Sequence, residues 1–389
     1  MKKILLLGGG KIGFSIAKML GEAGGYEVTL ADRDDRRLAQ AEGLPVAGRR
    51  RLDAGDPAQV EPLARQHDVV VSACSFDVNP GVAAAALRAG ASYFDLTEDV
   101  RCTAAVREIA LSASKTQAFV PQCGLAPGFI GMVGAKLVRS LDETHHLKLR
   151  VGALPKYPSN RLMYNLTWST EGLINEYCNP CDAIQGGRPA KLAPLEGLES
   201  LSCKGVRYEA FNTSGGLGTL AETLLGSVRD LTYKTVRYPG HRDYVDFLVN
   251  ELKLGHTARG RQTLKEIFES SIATTHQDVV IVWASAEGLR GGEYQEIHRC
   301  WQIEHAEGDG EAWTAIQMTT AAGLCGAIEL YFEKKIPSRG FVRQEDIDLD
   351  LFLGTSFGRY YRPGALTAAP SSAPAERALG SGRLEVARA

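Results

Sequence analysis

The chain has 389 residues, 44% of them hydrophobic and 23% charged, a balance that excludes a disordered or fibrous protein. Lys and Arg number 44 against 46 Asp and Glu, so the net charge of −2 supplies no global field for nucleic acid or an acidic membrane surface. No apolar run approaches the roughly 18 residues of a membrane span, and the length suits two domains.

The first 121 residues alternate short apolar strands with helices. Met1-Lys2-Lys3 followed by four apolar residues opens like a secretory leader, but the run stops at Gly8-Gly9-Gly10. That is too short for a leader, and residues 4–7 read as a strand covered on both faces. Ile12, Ile16, Met19 and Leu20 then recur at helical spacing, and residues 28–31 read as the second strand. Further strands are predicted at 69–71, 93–96 and 118–120, with an alanine-rich helix over 80–89 and another helix over 100–114. Such alternation predicts an α/β domain over residues 1–123, a doubly wound parallel sheet, because parallel neighbours need helical crossovers.

Beyond Cys123 the strands lengthen and alternate, as at 146–154 and 278–286, and helices come in runs. This predicts a second, α+β domain over 124–340, built on an open mixed or antiparallel sheet. A long helix is expected over 314–334, and the segment 341–361 is expected to pack back on the first domain. From residue 362 the composition turns to Pro, Ala, Ser, Gly and Arg, which predicts a disordered tail over 362–389. The eight cysteines are scattered, which points to free thiols in a reducing, cytoplasmic compartment. Cys178-Asn179-Pro180-Cys181 has redox or metal spacing but lacks the second pair or the histidines of such sites, so it reads as two thiols at a turn.

The strongest motif is Gly8-Gly9-Gly10-Lys11-Ile12-Gly13, a G-x-G-x-x-G directly after a strand and opening a helix. Gly8 permits the tight turn, Gly10 lets backbone N–H groups approach a pyrophosphate, and Gly13 allows close helix–strand packing. The helix start, with Lys11 and Ile12, supplies the partial positive charge that holds the phosphates. Asp32 ends the second strand 19 residues after Gly13, where a carboxylate accepts from the adenosine ribose and repels a 2′-phosphate. Asp32 therefore favours NAD, while Arg33 beside it keeps NADP possible. Asp56 is either an adenine contact or the N-cap of the helix beginning at Pro57. Ser72, Ala73 and Cys74 end the fourth strand at the sheet edge where ligands bind.

Asp95 and Glu98 follow the fifth strand on the same edge; Asp95 is the candidate for substrate or proton handling and Glu98 for a helix cap. Cys123 and the Pro127-Gly128 turn mark the crossing between domains, where a nicotinamide would lie. Without an evident histidine partner, Cys123 is not expected to be a covalent nucleophile. In the second domain Arg237-Tyr238-Pro239-Gly240-His241 gathers a cation, a phenol and an imidazole. These residues are either a solvated strand end or a site in which Arg237 binds a carboxylate and His241 or Tyr238 assists proton transfer.

Taken together, the chain resembles the saccharopine dehydrogenase-like family, and within it most closely the lysine 6-dehydrogenase branch. The resemblance rests on residues 8–13, 89–96 and 123–128, on the Trp-Ser-Thr-Glu segment at 168–177, and on 217–241; it spans roughly residues 1–355. It implies a Rossmann domain binding NAD(P), a catalytic domain that also makes homo-oligomer contacts, and hydride transfer at a C–N bond of an amino acid. It further implies that Asp95 contacts the amino-acid substrate and that the loop at 123–128 closes over the nicotinamide. Family members that form glutamate from saccharopine tend to carry an arginine in the Trp-Ser segment, whereas this chain has Glu171. Glu171 would repel the extra carboxylates of saccharopine and attract an ammonium group, unless it serves only to begin the helix running to Tyr177. The expected reaction is oxidation of L-lysine at its ε-carbon. Saccharopine or a carboxynorspermidine-type imine is the alternative substrate, and a non-catalytic NAD(P) sensor is the alternative class.

Overall fold

The computed structural model describes residues 1–308 and 311–362, so the tail expected over 362–389 lies, from residue 363 on, outside the described residues. The chain opens with β1 (Lys2–Leu7), α1 (Lys11–Ala23), β2 (Tyr26–Asp32), α2 (Asp35–Gln40), β3 (Gly48–Arg51), α3 (Pro57–Ala64) and β4 (Val69–Ser72). It continues through α4 (Asn79–Ala89), β5 (Ser92–Asp95), α5 (Val100–Ala110) and β6 (Ala118–Val120). These strands form a parallel sheet in the order β3-β2-β1-β4-β5-β6. That is the dinucleotide-fold order, with its switch point between β1 and β4.

The apolar run of β1 is split between two cores. Ile4 and Leu6 face one with Ile16 and Leu20 of α1, while Leu5 and Leu7 face the other with Val60, Val82 and Val106. All four β1 residues are fully buried, each contributing about 1.5–3 kcal/mol, so neither face of this strand tolerates a polar residue. Asp34, Asp56 and Asp99 cap α2, α3 and α5 through hydrogen bonds to backbone N–H groups. The helix expected to reach 114 ends at Ala110, where the backbone closes on Leu111.

The second part begins with α6 (Phe129–Val138), β7 (Glu143–Pro155), α7 (Thr170–Cys178), β8 (Cys181–Gln185), β9 (Arg188–Leu192), β10 (Glu199–Cys203) and β11 (Val206–Asn212). There follow α8 (Leu220–Thr223), β12 (Val228–Arg237), α9 (His241–Asp246), α10 (Ala258–Ser271), β13 (Asp278–Arg290) and β14 (Glu293–Glu304). The main path of this sheet runs β10-β11-β12-β7-β13-β14, with β8 and β9 attached beside β12. It is mixed, because β7 and β12 are parallel while the other neighbours on the path are antiparallel. After a small hairpin of β15 (Ala306–Gly308) and β16 (Glu311–Trp313) comes α11 (Ala315–Phe332).

Helix α11 ties the two sheets together. It is buried along most of its length and packs on both α1 and β13. Its start is set by a Thr314–Gln317 capping box and by Asp278, whose carboxylate accepts from the N–H groups of Ala315 and Ile316 at 2.5 and 3.0 Å. The chain then returns to the first sheet. β17 (Gly340–Phe341) pairs in parallel with β6, before α12 (Leu349–Leu353). Among the described residues no helix is long and apolar enough to cross a membrane.

Candidate active site

A cleft of about 640 Å³ opens between the carboxyl edge of the first sheet and the second domain. One end is the glycine turn. Gly8 has φ +102°, and a Cβ there would stand 2.7 Å from the Ala73 carbonyl oxygen; at Gly13 it would stand 1.9 Å from that of Gly8. At Gly10 a Cβ would meet nothing within 4 Å, so this position faces open space. Gly10 is also the N-cap of α1, and no side chain caps that helix. Its free N–H groups and open approach therefore fit the pyrophosphate of a dinucleotide.

Asp32 lies behind this turn and is nearly buried. One carboxylate oxygen accepts from Gly9 N at 2.6 Å, with the Arg37 guanidinium 3.6 Å away, and the other accepts from Asp34 N at 2.8 Å. Outside it a shallow depression is lined by Arg33, Arg36 and Arg51 together with Asp34, Asp35, Asp53 and Gln59. Lys11, Ile12, Ala73 and Cys74 line the main cleft. Burial pushes the Cys74 thiol up to about 11, so it stays protonated.

Several sequence candidates stand elsewhere. Asp56 is the α3 cap, accepting from Ala58 N at 3.0 Å and from the Gln59 amide at 2.9 Å. The Ser72 hydroxyl is turned to Asn79 at 2.7 Å and is buried. Cys123 is fully buried and lies in contact with the Val120 carbonyl and the Gln344 amide, while the neighbouring residues 124–127 line the cleft.

Neither Asp95 nor Glu98 stands where the sequence places it. The Asp95 carboxylate is inaccessible and accepts from Tyr93 Oη (2.8 Å), Thr97 N (2.9 Å) and Gln122 N (2.9 Å). It ties the loop after β5 to the loop after β6 and does not line the cleft. The cap of α5 is Asp99, not Glu98, and this frees the Glu98 side chain to line the cleft. Burial pushes the Glu98 carboxyl up, and nearby Asp99, Asp95 and Glu171 add to the shift. Among the described residues no side chain donates to it.

The floor is built by α7 and β12. Arg237 ends β12 and lines the cleft, but it is 2% exposed. Its Nε donates to Tyr177 Oη at 3.0 Å, and Nη1 donates to Thr235 Oγ1 (2.6 Å) and the Val236 carbonyl (2.9 Å). Among the described residues Nη2 makes no hydrogen bond, and it stands 3.6 Å from Glu176 Oε2. His241 begins α9 and does not reach the cleft. Because the Leu162 carbonyl can only accept, Nδ1 of His241 carries the proton and donates to it at 2.9 Å. Nε2 then accepts from Tyr177 Oη at 2.9 Å. Burial first, and the Arg237 charge second, push the His241 pKa down to about 3, so the ring is neutral. The chain Arg237–Tyr177–His241 is thus a fixed hydrogen-bond relay that positions the guanidinium. Tyr238 points away and donates to the Pro155 carbonyl at 2.9 Å.

Glu176 is the carboxylate that sequence reasoning missed. Its Oε2 is buried without a hydrogen bond among the described residues, and burial pushes its pKa up to about 7 against the opposing pull of Arg237. A signal existed: Gly172 and Glu176 are four apart on one helical face. Gly172 lets the Trp168 ring lie across that face, where a Cβ would come within 2.5 Å of the indole. Thr167, 5% exposed, also lines the cleft, with its hydroxyl beside that of the buried Tyr164. Glu171 sits in the first turn of α7 at the rim, 58% exposed and 3.7 Å from Lys265 Nζ.

A β1–turn–α1 glycine turn facing a second domain that lines the cleft with buried carboxylates and an arginine fits a dinucleotide-binding dehydrogenase. Residues 4–120 match the saccharopine dehydrogenase NADP binding domain, and residues 124–355 match the saccharopine dehydrogenase C-terminal domain. The chain belongs to the saccharopine dehydrogenase family, whose cofactor is NAD(P). It is 22% identical over 256 residues to the mitochondrial alpha-aminoadipic semialdehyde synthase of Mus musculus. That match covers 62% of this chain and 27% of the mouse protein, so the chain spans about a quarter of that relative. The fold matches apo saccharopine dehydrogenase (L-Glu forming) from Saccharomyces cerevisiae with a TM-score of 0.74 at 15% identity, covering 91% of this chain and 96% of that one. It also matches the homospermidine synthase of Legionella pneumophila, solved with NAD, with a TM-score of 0.61 at 12% identity, covering 98% and 96% of the two chains.

Proposed function

We propose that the protein is an NAD(P)-dependent dehydrogenase acting on the C–N bond of a cationic amino acid, with L-lysine oxidised at its ε-carbon as the leading reaction. NAD(P), when bound, takes up or returns the hydride. The observation that carries this reading is the charge balance at the substrate end of the cleft. Glu98, Glu171 and Glu176 line it against Arg237, of whose nitrogens only Nη2 makes no hydrogen bond. A substrate with two ammonium groups and one carboxylate complements this arrangement. Saccharopine, with three carboxylates, would need several cations in fixed geometry. In this reading Arg237 Nη2 binds the carboxylate, Glu98 holds an ammonium, and Glu176 accepts the amine proton.

A screen of lysine, saccharopine and carboxynorspermidine with NAD and NADP, followed by absorbance of the reduced cofactor, tests the proposal. Faster turnover of saccharopine than of lysine defeats the substrate assignment and leaves the broader dehydrogenase reading standing. Glu171 is exposed and paired at the rim, so E171Q should raise the KM for lysine only about two- to fivefold, the scale of a surface ion pair. Cofactor affinity should be unchanged.

NAD should bind more tightly than NADP. Beyond the Asp32 carboxylate, the three arginines of the outer depression face three aspartates, and Arg51 lies 3.2 Å from Asp35. A 2′-phosphate would find no surplus positive charge there. Calorimetry should give at least about a tenfold preference for NAD, about 1.4 kcal/mol. Tighter NADP binding would show that Arg33 outweighs Asp32.

A further inference from the structure

On the face of the second sheet turned away from the cleft, the two ends of the sheet meet. Along the strand path β10 is one edge and β14 the other, and no backbone ladder joins them. The sheet nevertheless curls until Cys203, the last residue of β10, and Cys300, in β14, bring their sulfurs within 3.5 Å. Cys203 is buried and Cys300 is exposed. Both are free thiols, and Gln302 on β14 also faces the Cys203 sulfur, at 3.8 Å. Beneath Cys203 a small apolar core of Leu154, Tyr208, Val236, Val279 and Ile281 spans β7, β11, β12 and β13, and both cysteines sit on strands. Side-chain contact across this gap is therefore built into the packing and is not a chance approach of two mobile loops.

We propose that Cys203 and Cys300 form a reversible intramolecular disulfide, a redox latch that closes the second sheet into a barrel-like shell. The oxidant is a peroxide. Cys300, the accessible partner, attacks as thiolate; the O–O bond breaks and the leaving oxygen departs protonated. The Cys300 sulfenic acid is then attacked by the Cys203 sulfur, which gives up its proton as the S–O bond breaks and water leaves. Two thiols lose two electrons and the peroxide gains them. Burial beside the second thiol pushes Cys300 up to about 12, so the thiolate is scarce at neutral pH. The effect of the latch is mechanical: β12, which carries Arg237 into the cleft, lies two strands from the β10 edge, so closing the shell stiffens the sheet beneath the floor.

The test treats the reduced full-length protein with hydrogen peroxide, alkylates the remaining thiols and maps the peptides. The expected result is a Cys203–Cys300 linkage in the monomer, free thiols falling from eight to six, and full recovery with dithiothreitol. The linkage closes a loop of about 100 residues, so the oxidised protein should melt at least about 3 °C above the reduced one. C203S and C300S should each abolish both the linkage and the shift in melting temperature. Cys203 remaining alkylatable while Cys300 advances to sulfinic acid, or a disulfide between two molecules through Cys300, overturns the proposal. The wild-type mapping decides this even if a variant folds poorly.

Discussion

Replacing Gly10 with valine should lower cofactor affinity by two orders of magnitude or more, about 2.7 kcal/mol, while leaving the folded protein intact. The two halves of this expectation have separate causes. Gly10 has φ −85°, a backbone conformation open to any residue, and a Cβ there meets nothing within 4 Å. The side chain therefore costs the apoprotein little. The space it fills is the approach to the uncapped N–H groups of α1, where the pyrophosphate must lie. Gly13 provides the contrast: a Cβ there would be 1.9 Å from the Gly8 carbonyl oxygen, so G13A should unfold the turn itself. Titration of the fluorescence of reduced cofactor, with melting curves on the same samples, separates the two. A G10V protein that folds and binds NAD(P) as the wild type does would remove the glycine turn from the site.

That contrast also marks what can be read without coordinates. The first domain was legible because its signals are local. A continuous apolar run means a strand covered twice, and a glycine turn between strand and helix has few uses. The parallel sheet follows that reading, whereas of the segment 341–361 expected on the first domain only its start joins β6, and residues 344–361 pack on α6 and α11. Acidic residues after strands were not legible, because a cap and a cleft carboxylate have the same composition. Asp95, Glu98 and Asp99 lie within five residues, and what sorts them is which backbone N–H groups each can reach. Asp99 reaches Cys102 N at 2.7 Å, Asp95 reaches the loop after β6, and only Glu98 is left facing open space. His241 fits neither of its two readings, a solvated strand end or a group in the cleft, for a related reason. A histidine after a Pro-Gly turn reads as solvated, yet Tyr164, Tyr177 and Phe211 from distant segments enclose its ring. The second sheet was legible as to class but not as to order, since the parallel β7–β12 pairing joins segments some 80 residues apart.

Glu176→Gln should lower kcat with lysine by about 10²- to 10⁴-fold, the usual weight of a positioned proton acceptor. The choice of Glu176 follows from what the other titratable groups are already doing. Asp95 and His241 are enclosed and fully engaged, Tyr238 is turned to a backbone carbonyl, and Cys74 is held protonated. Glu171 stands at the solvent rim. Glu176 alone combines a buried oxygen without a hydrogen bond, a position in the cleft lining and a pKa near 7. An ordinary lysine ammonium, near pH 10.4, would not yield its proton to such a base in water. Burial in the cleft and the Arg237 charge lower the ammonium's pKa towards that of Glu176, Glu98 and Glu171 act against them, and the transfer depends on desolvation outweighing the two carboxylates. The sign of the pH dependence follows. Glu176 works ionised, so kcat/KM should rise with unit slope up to about pH 7 and level off above it, before any further rise from free amine near pH 10. E176Q should erase the limb near pH 7 and keep the one near pH 10, whereas E98Q should raise KM and keep both. If E176Q retains the lower limb and loses less than tenfold in kcat, the proton goes elsewhere, and Glu98 becomes the group to test.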